Sequence, residues 1–155
     1  MSEVLQAIYR GDRDEAERLA EGRDLDIFEA SALGRTGRVG ELLNEDASRA
    51  NVFADDGFQP LGLAVFFGNV DTAKLLLERG AEVNSASRNQ MKVMPLHSAA
   101  AIRDPSLRYE LCKLLLNHGA DANAVQQDEF TPLMAADQHG DARLRELLVA
   151  HGATA

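Results

Sequence analysis

With a single cysteine in 155 residues the chain cannot form an internal disulfide. That scarcity suits a reducing compartment, so a cytoplasmic protein is expected. No apolar run approaches the roughly 18 residues that a membrane-spanning helix needs. The opening stretch Met1–Arg10 has no basic segment followed by an apolar one, so no secretory signal is expected. Basic residues are also short: 16 Lys and Arg face 25 Asp and Glu, leaving a net charge of −9. Such a balance disfavours non-specific binding to nucleic acid and to anionic membranes. The imbalance is concentrated in residues 1–80, which hold 16 acids and 9 bases, against 9 and 7 in residues 81–155. A basic or neutral partner surface would be steered toward the N-terminal half.

What the chain does have is a globular composition, 45% hydrophobic and 26% charged, and enough length for one domain with a real core. Its organising stretch is Gly119-Ala-Asp-Ala-Asn-Ala-Val-Gln-Gln-Asp-Glu-Phe-Thr-Pro-Leu-Met-Ala-Ala136. Gly119 can take the positive φ that ends a helix. Residues 120–130 are too polar and too broken in period to be helical. Thr131-Pro132 then opens a helix, because Thr is a good N-cap and Pro at the first helical position gives up an N–H that had no partner. The same passage occurs at Gly80–Asn84 running on to Met94–Ala100, and in part at Asp56–Ala64. This is an internal repeat.

The repeat divides the chain into five units, about 2–22, 23–53, 54–88, 89–125 and 126–155. The first is worn: Val4, Leu5, Ala7, Ile8, Ala16, Leu19 and Ala20 keep helical spacing without a proline start. In the second, Asp26 stands where the later units carry proline, and Gly34, Gly37 and Gly40 lower helix propensity. The third, fourth and fifth are clear copies, starting at Pro60, Pro95 and Pro132 and closing on Gly80, Gly119 and Gly152. Leu75, Leu76 and Leu77 are expected to face the core of the third, and the last unit is expected to cap the C-terminal end.

Pro-Leu-His-x-Ala-Ala, the Gly-Asn or Gly-Asp turn, Leu-Leu-x-x-Gly-Ala and Val-Asn together resemble the ankyrin repeat, whose period is 33 residues. Gly119 and Gly152 stand 33 residues apart. The resemblance covers nearly the whole chain. It implies an all-α fold: a single domain over 1–155, a solenoid of about five helix-turn-helix units joined by β-hairpin-like fingers. Two departures have a physical reading. The spacing from Pro60 to Pro95 is two residues over the period, which lengthens the finger Ser85–Val93 and puts Lys92 in place of its glycine. Pro95 to Pro132 is four over, and Asp104-Pro105 would let that second helix begin about one turn early. In the last finger Glu129 replaces the glycine.

Nothing in the sequence supports catalysis. His97, His118, His139 and His151 have no metal-ligand spacing with one another or with Cys112, so no metal and no cofactor are expected. Cys112 reads as a buried small hydrophobe. The acid pairs Asp55-Asp56 and Asp128-Glu129 read as solvated turn acids. The family pattern implies that His97 hydrogen-bonds the neighbouring finger and that Asn84 and Asn123 hold their turns.

The resemblance also implies where a partner would sit: on the fingers and the exposed end of each first helix, which form a concave surface. Those places hold Asp55, Asp56, Phe58, Phe66 and Phe67 in the third unit, Met91, Lys92, Val93, Ala101 and Ile102 in the fourth, and Phe130, Gln138 and His139 in the last. Exposed aromatic anchors are what a protein-binding patch needs, although Phe66 or Phe67 could equally pack inward. The expected function is a monomeric, non-enzymatic protein–protein interaction module or scaffold whose partner is another protein. The alternative is a regulatory or immunity-type inhibitor of one enzyme, its acidic half imitating an anionic substrate.

Overall fold

All four prolines of the chain start helices, each where the missing N–H costs nothing. In a computed structural model, which describes residues 1–154, the elements are α1 (Glu3–Tyr9), α2 (Arg13–Ala20), α3 (Ile27–Leu33), α4 (Thr36–Glu45), α5 (Pro60–Phe66), α6 (Val70–Glu78), α7 (Pro95–Ala100), α8 (Pro105–Asn117), α9 (Pro132–His139) and α10 (Ala142–Ala150). Short 3-10 turns occupy Ala47–Asn51 and Gln127–Glu129. No strand occurs among the described residues. The fold is all-α, five helix pairs in succession, as the resemblance implies. Its fingers are turns rather than ladders, closed by bonds such as Ala54 N–H to Phe58 O (2.8 Å), Ser87 N–H to Val93 O (2.9 Å) and Gln126 N–H to Phe130 O (3.1 Å).

The chain forms two compact units, Met1–Ala81 and Glu82–Ala155. In the first, α1 packs on α2 and α3, α3 on α4 and α5, and α6 on α4 and α5. Val4, Ala7, Ala16, Ala30, Val39, Leu43, Leu63, Ala64 and Leu76 are sealed inside. A buried leucine or valine is worth about 1.5–3 kcal/mol, while the alanines let helices approach closely. Asn69 donates to the carbonyls of Ser31 (2.9 Å) and Ala32 (2.8 Å), closing the last turn of α3. Gly34 ends that helix at φ +74, and a Cβ there would meet the Asn69 carboxamide at 2.8 Å. Both backbone and space therefore demand glycine.

Asp26 does not occupy the proline position of its unit. It is the N-cap of α3, one place earlier, with Ile27 first in the helix. Its carboxylate accepts from Glu29 N–H at 2.8 Å while Glu29 accepts from Asp26 N–H at 3.2 Å. A reciprocal capping box thus does the work that proline does elsewhere. Leu75 is likewise only half-buried, unlike Leu76 and Leu77. Three consecutive helical positions span too wide an arc for all to face one core.

In the second unit α7 packs on α8 and α9, and α10 on α8 and α9. Leu96, Ala99, Ala100, Leu111, Leu115, Ala136, Leu144 and Leu148 fill its interior. α8 has 13 residues against 9 in α10, and the extra turn begins at Pro105 with Asp104 capping Ser106 and Leu107 N–H. The four-residue excess is that turn. Lys92 (φ 48) and Glu129 (φ 59) hold the left-handed conformation in their fingers that Gly57 (φ 88) holds in the first unit.

Candidate functional site

The groups with chemical potential are committed to structure. Cys112 is fully buried in α8, and burial pushes its thiol up to about 12. His97 is buried at the start of α7: Met94 N–H donates to Nδ1 (3.2 Å) and Nε2 lies 2.9 Å from Ala124 O. Nδ1 is therefore the acceptor and Nε2 carries the proton, so the ring ties the next finger down as expected. Asn84 donates to Gly119 O (3.1 Å) and accepts from Asp121 N–H (2.8 Å); Asn123 bonds Gly152 O and Thr154 N–H in the same way. His118 and His151 are 2.9 Å from Leu114 O and Leu147 O at the ends of α8 and α10. Among the described residues no group of three or more His, Cys, Asp or Glu could hold a metal, and no helix is long and apolar enough to cross a membrane.

What stands out instead is apolar surface. In the first unit Phe66, the last residue of α5, is 57% exposed. Phe67 follows it, half-buried, with the two rings edge to face at 4.9 Å. Tyr9, from the end of α1, lies 5.8 Å from Phe67 and donates its hydroxyl to Asp56 (2.9 Å) in the finger. Burial and the Asp56 carboxylate push the Tyr9 phenol well up, so it stays a donor. Phe58 is half-buried and Asp55 exposed in the same finger. Tyr9 escaped the reading of the sequence. It lies 47 residues from Asp56, in a worn unit without a motif to mark it.

In the second unit Met91 is 55% exposed in the long finger beside exposed Lys92 and half-buried Val93. Ala101 is exposed and Ile102 half-buried after α7; Phe130 is half-buried, and Gln138 and His139 are exposed at the end of α9. Val125 and Met134 are also largely exposed here and were not singled out from sequence. Met134 occupies the place of the Pro-Leu-His histidine, where a thioether has no bond to make with a finger.

Another missed element is Arg108, buried in α8. Its guanidinium donates to Asp141 through Nε (2.9 Å) and Nη2 (2.8 Å), and through Nη1 to Ile102 O (2.7 Å). Burial alone would raise the Asp141 carboxyl, but the Leu144 N–H and Arg108 outweigh it and hold it low. The motif left Arg108 unmarked because only the added turn of α8 brings it into the interior.

Helical hairpins recurring at a similar spacing, tied by finger turns and presenting apolar side chains, define a helical repeat protein. The Ankyrin repeat family model matches residues 56–88 and 94–126. The chain belongs to the ankyrin repeat family. It is 35% identical over 134 residues to ankyrin repeat, SAM and basic leucine zipper domain-containing protein 1 of Ornithorhynchus anatinus, covering 86% of this chain and 27% of that protein. It is 32% identical over 113 residues to ankyrin repeat and SAM domain-containing protein 6 of Rattus norvegicus, covering 72% and 12%. It is also 32% identical over 166 residues to ankyrin repeat and SOCS box protein 16 of Homo sapiens, covering 83% and 36%. The chain thus spans about a third or less of each of these relatives. Ankyrin repeats are generic protein–protein interaction modules, and the family is typically non-enzymatic.

Proposed function

We propose that this chain is a monomeric, non-enzymatic, cytoplasmic binding module that holds a partner protein against the aromatic face of its first unit. Phe66 and Phe67, with Phe58, Asp55 and Asp56 beside them, supply the anchors. The residues around Met91 and Ile102 give the second unit a contact face of its own. The observation that carries this reading is the Phe66–Phe67 pair. A phenylalanine more than half exposed and set edge to face against a half-buried one leaves apolar surface in water that a partner would cover.

The test is affinity capture on the chain, identification of the captured protein, and titration of that protein against wild type and Phe66→Ala. Truncating an aromatic hot spot costs about 2 kcal/mol or more of binding, roughly thirtyfold, while removing an exposed ring should leave thermal unfolding unchanged. Equal affinities would refute the reading. The rival, an acidic inhibitor imitating an anionic substrate, predicts that binding collapses in several hundred millimolar salt and ignores the Phe66 substitution.

A further inference from the structure

The glycine that follows each first helix gives the hairpins of the first unit a common register. Tyr9, Ala32 and Phe66 stand two residues before Gly11, Gly34 and Gly68. The row therefore runs from one aromatic to another past an alanine that is fully buried. A methyl group at the middle position leaves room for a ring to cross, where a longer side chain would fill the space.

Tyr9 makes that crossing. Asn69 bonds Ser31 O in the neighbouring hairpin, whereas Tyr9 reaches the third one. Its hydroxyl lies 2.9 Å from Asp56 Oδ2, and its ring 5.8 Å from Phe67, tilted by 43°. Asp56 gives its other oxygen to Phe58 N–H at 3.3 Å. The finger then closes with Ala54 N–H on Phe58 O and Gly57 N–H on Ala54 O. One side chain is thus fastened to both parts of the partner face: the acidic finger and, through Phe67, the exposed ring of Phe66 at 4.9 Å from it. Burial and the Asp56 carboxylate keep the phenol protonated, so it donates throughout the neutral range. Hydrogen bonds to a charged acceptor are roughly twice as strong as neutral ones.

We propose that Tyr9 is a positioning residue for the partner face, latching the finger through Asp56 and holding Phe67 so that Phe66 stays turned to water. This rests on the reading that a partner occupies the Phe66–Phe67 surface. The physical gain is preorganisation, because a loop and a ring already held need no ordering when the partner arrives.

Tyr9→Phe in the full chain keeps the ring and removes only the hydroxyl. Without any partner, amide hydrogen exchange at Ala54 and Gly57 should quicken about fivefold relative to the interior amides of α4. In an Asp56→Ala background the same substitution should add nothing, because the latch is already gone. Exchange unchanged by Tyr9→Phe would overturn the latch.

For binding, the probe is the protein captured on the chain, titrated against each variant. Tyr9→Phe should weaken it about three- to tenfold, the effect of one lost hydrogen bond. In the Phe66→Ala background the same substitution should cost less than about twofold, since both act on one contact. Val39→Ala, a lesion in the interior of α4, should lower the thermal midpoint and leave affinity within about twofold. An affinity unchanged by Tyr9→Phe, a loss matched by Val39→Ala, or a loss undiminished without Phe66 would each overturn the positioning role. Binding weakened by Phe66→Ala but not by Tyr9→Phe would leave the aromatic face standing and remove only Tyr9. Phe66→Ala without effect would remove the face and the positioning role with it, leaving a latch that serves stability alone.

Discussion

Arg108 and Asp141 stand 33 residues apart in the chain and 2.8 Å apart in space, with the Arg108 residue only 3% exposed. One repeat period separates them, so the pair bridges the second helices of consecutive hairpins, α8 to the N-cap of α10. Asp141→Asn keeps a capping side chain but leaves a buried guanidinium without its counter-charge. Breaking such a pair costs about 3 kcal/mol, read as a fall in the urea midpoint. Arg108→Leu combined with Asp141→Asn should recover part of that loss, because a buried ion pair is often no better than apolar packing.

The buried His97 makes the second unit sensitive to acid. Desolvation lowers its ring below the ordinary histidine range, only partly countered by Ala124 O and Asp121. A depressed folded value means that the unfolded chain takes up the proton first. The stability contributed by neutral His97 is therefore complete above the unfolded value of about 6.5. It falls as pH drops through the folded value, where protonation of Nδ1 also breaks the bond from Met94 N–H. Urea midpoints between pH 7.5 and 5.5 should decline in the wild type and flatten in His97→Gln. Parallel slopes would remove His97 as the cause.

Ser31 is fully buried in α3, and its hydroxyl has no hydrogen-bond partner among the described residues. Ser31→Ala removes the unpaired group and improves helix propensity in nearly the same volume. The expected gain is about 1 kcal/mol, visible as a higher thermal midpoint; a loss of stability would show that the hydroxyl is satisfied.

Lys92 and Glu129 hold positive φ where Gly57 holds it in another finger. The left-handed region costs a non-glycine residue about 1 kcal/mol, and glycine recovers part of that against its greater unfolded entropy. Lys92→Gly and Glu129→Gly should each stabilise by a few tenths of a kcal/mol up to about 1 kcal/mol. Destabilisation by either would mean that the side chain contributes more than its backbone costs.

The positions of helix starts and stops were legible in the chain because they depend on local chemistry. Pro60, Pro95, Pro105 and Pro132 begin helices whatever surrounds them, and Gly80, Gly119 and Gly152 take positive φ just beyond helix ends. The early start of α8 followed from Asp104-Pro105 and a four-residue excess. The family's finger bonds at His97, Asn84 and Asn123 followed from motif position, since one period sets one neighbour.

Contacts that depend on side-chain direction required the folded chain. Whether Phe66 or Phe67 faced water turned on where α5 ends and on Tyr9 arriving from a hairpin without a motif. The Arg108–Asp141 pair needed the added turn of α8 to rotate an arginine inward. A cleft at Leu5, Asp26, Phe28 and Asp55 joins residues from three segments of the chain. Local backbone preference specified the repeat, because each cap acts within a few residues. Packing between hairpins decided which rings and charges remained at the surface, because burial belongs to neighbours distant in the chain.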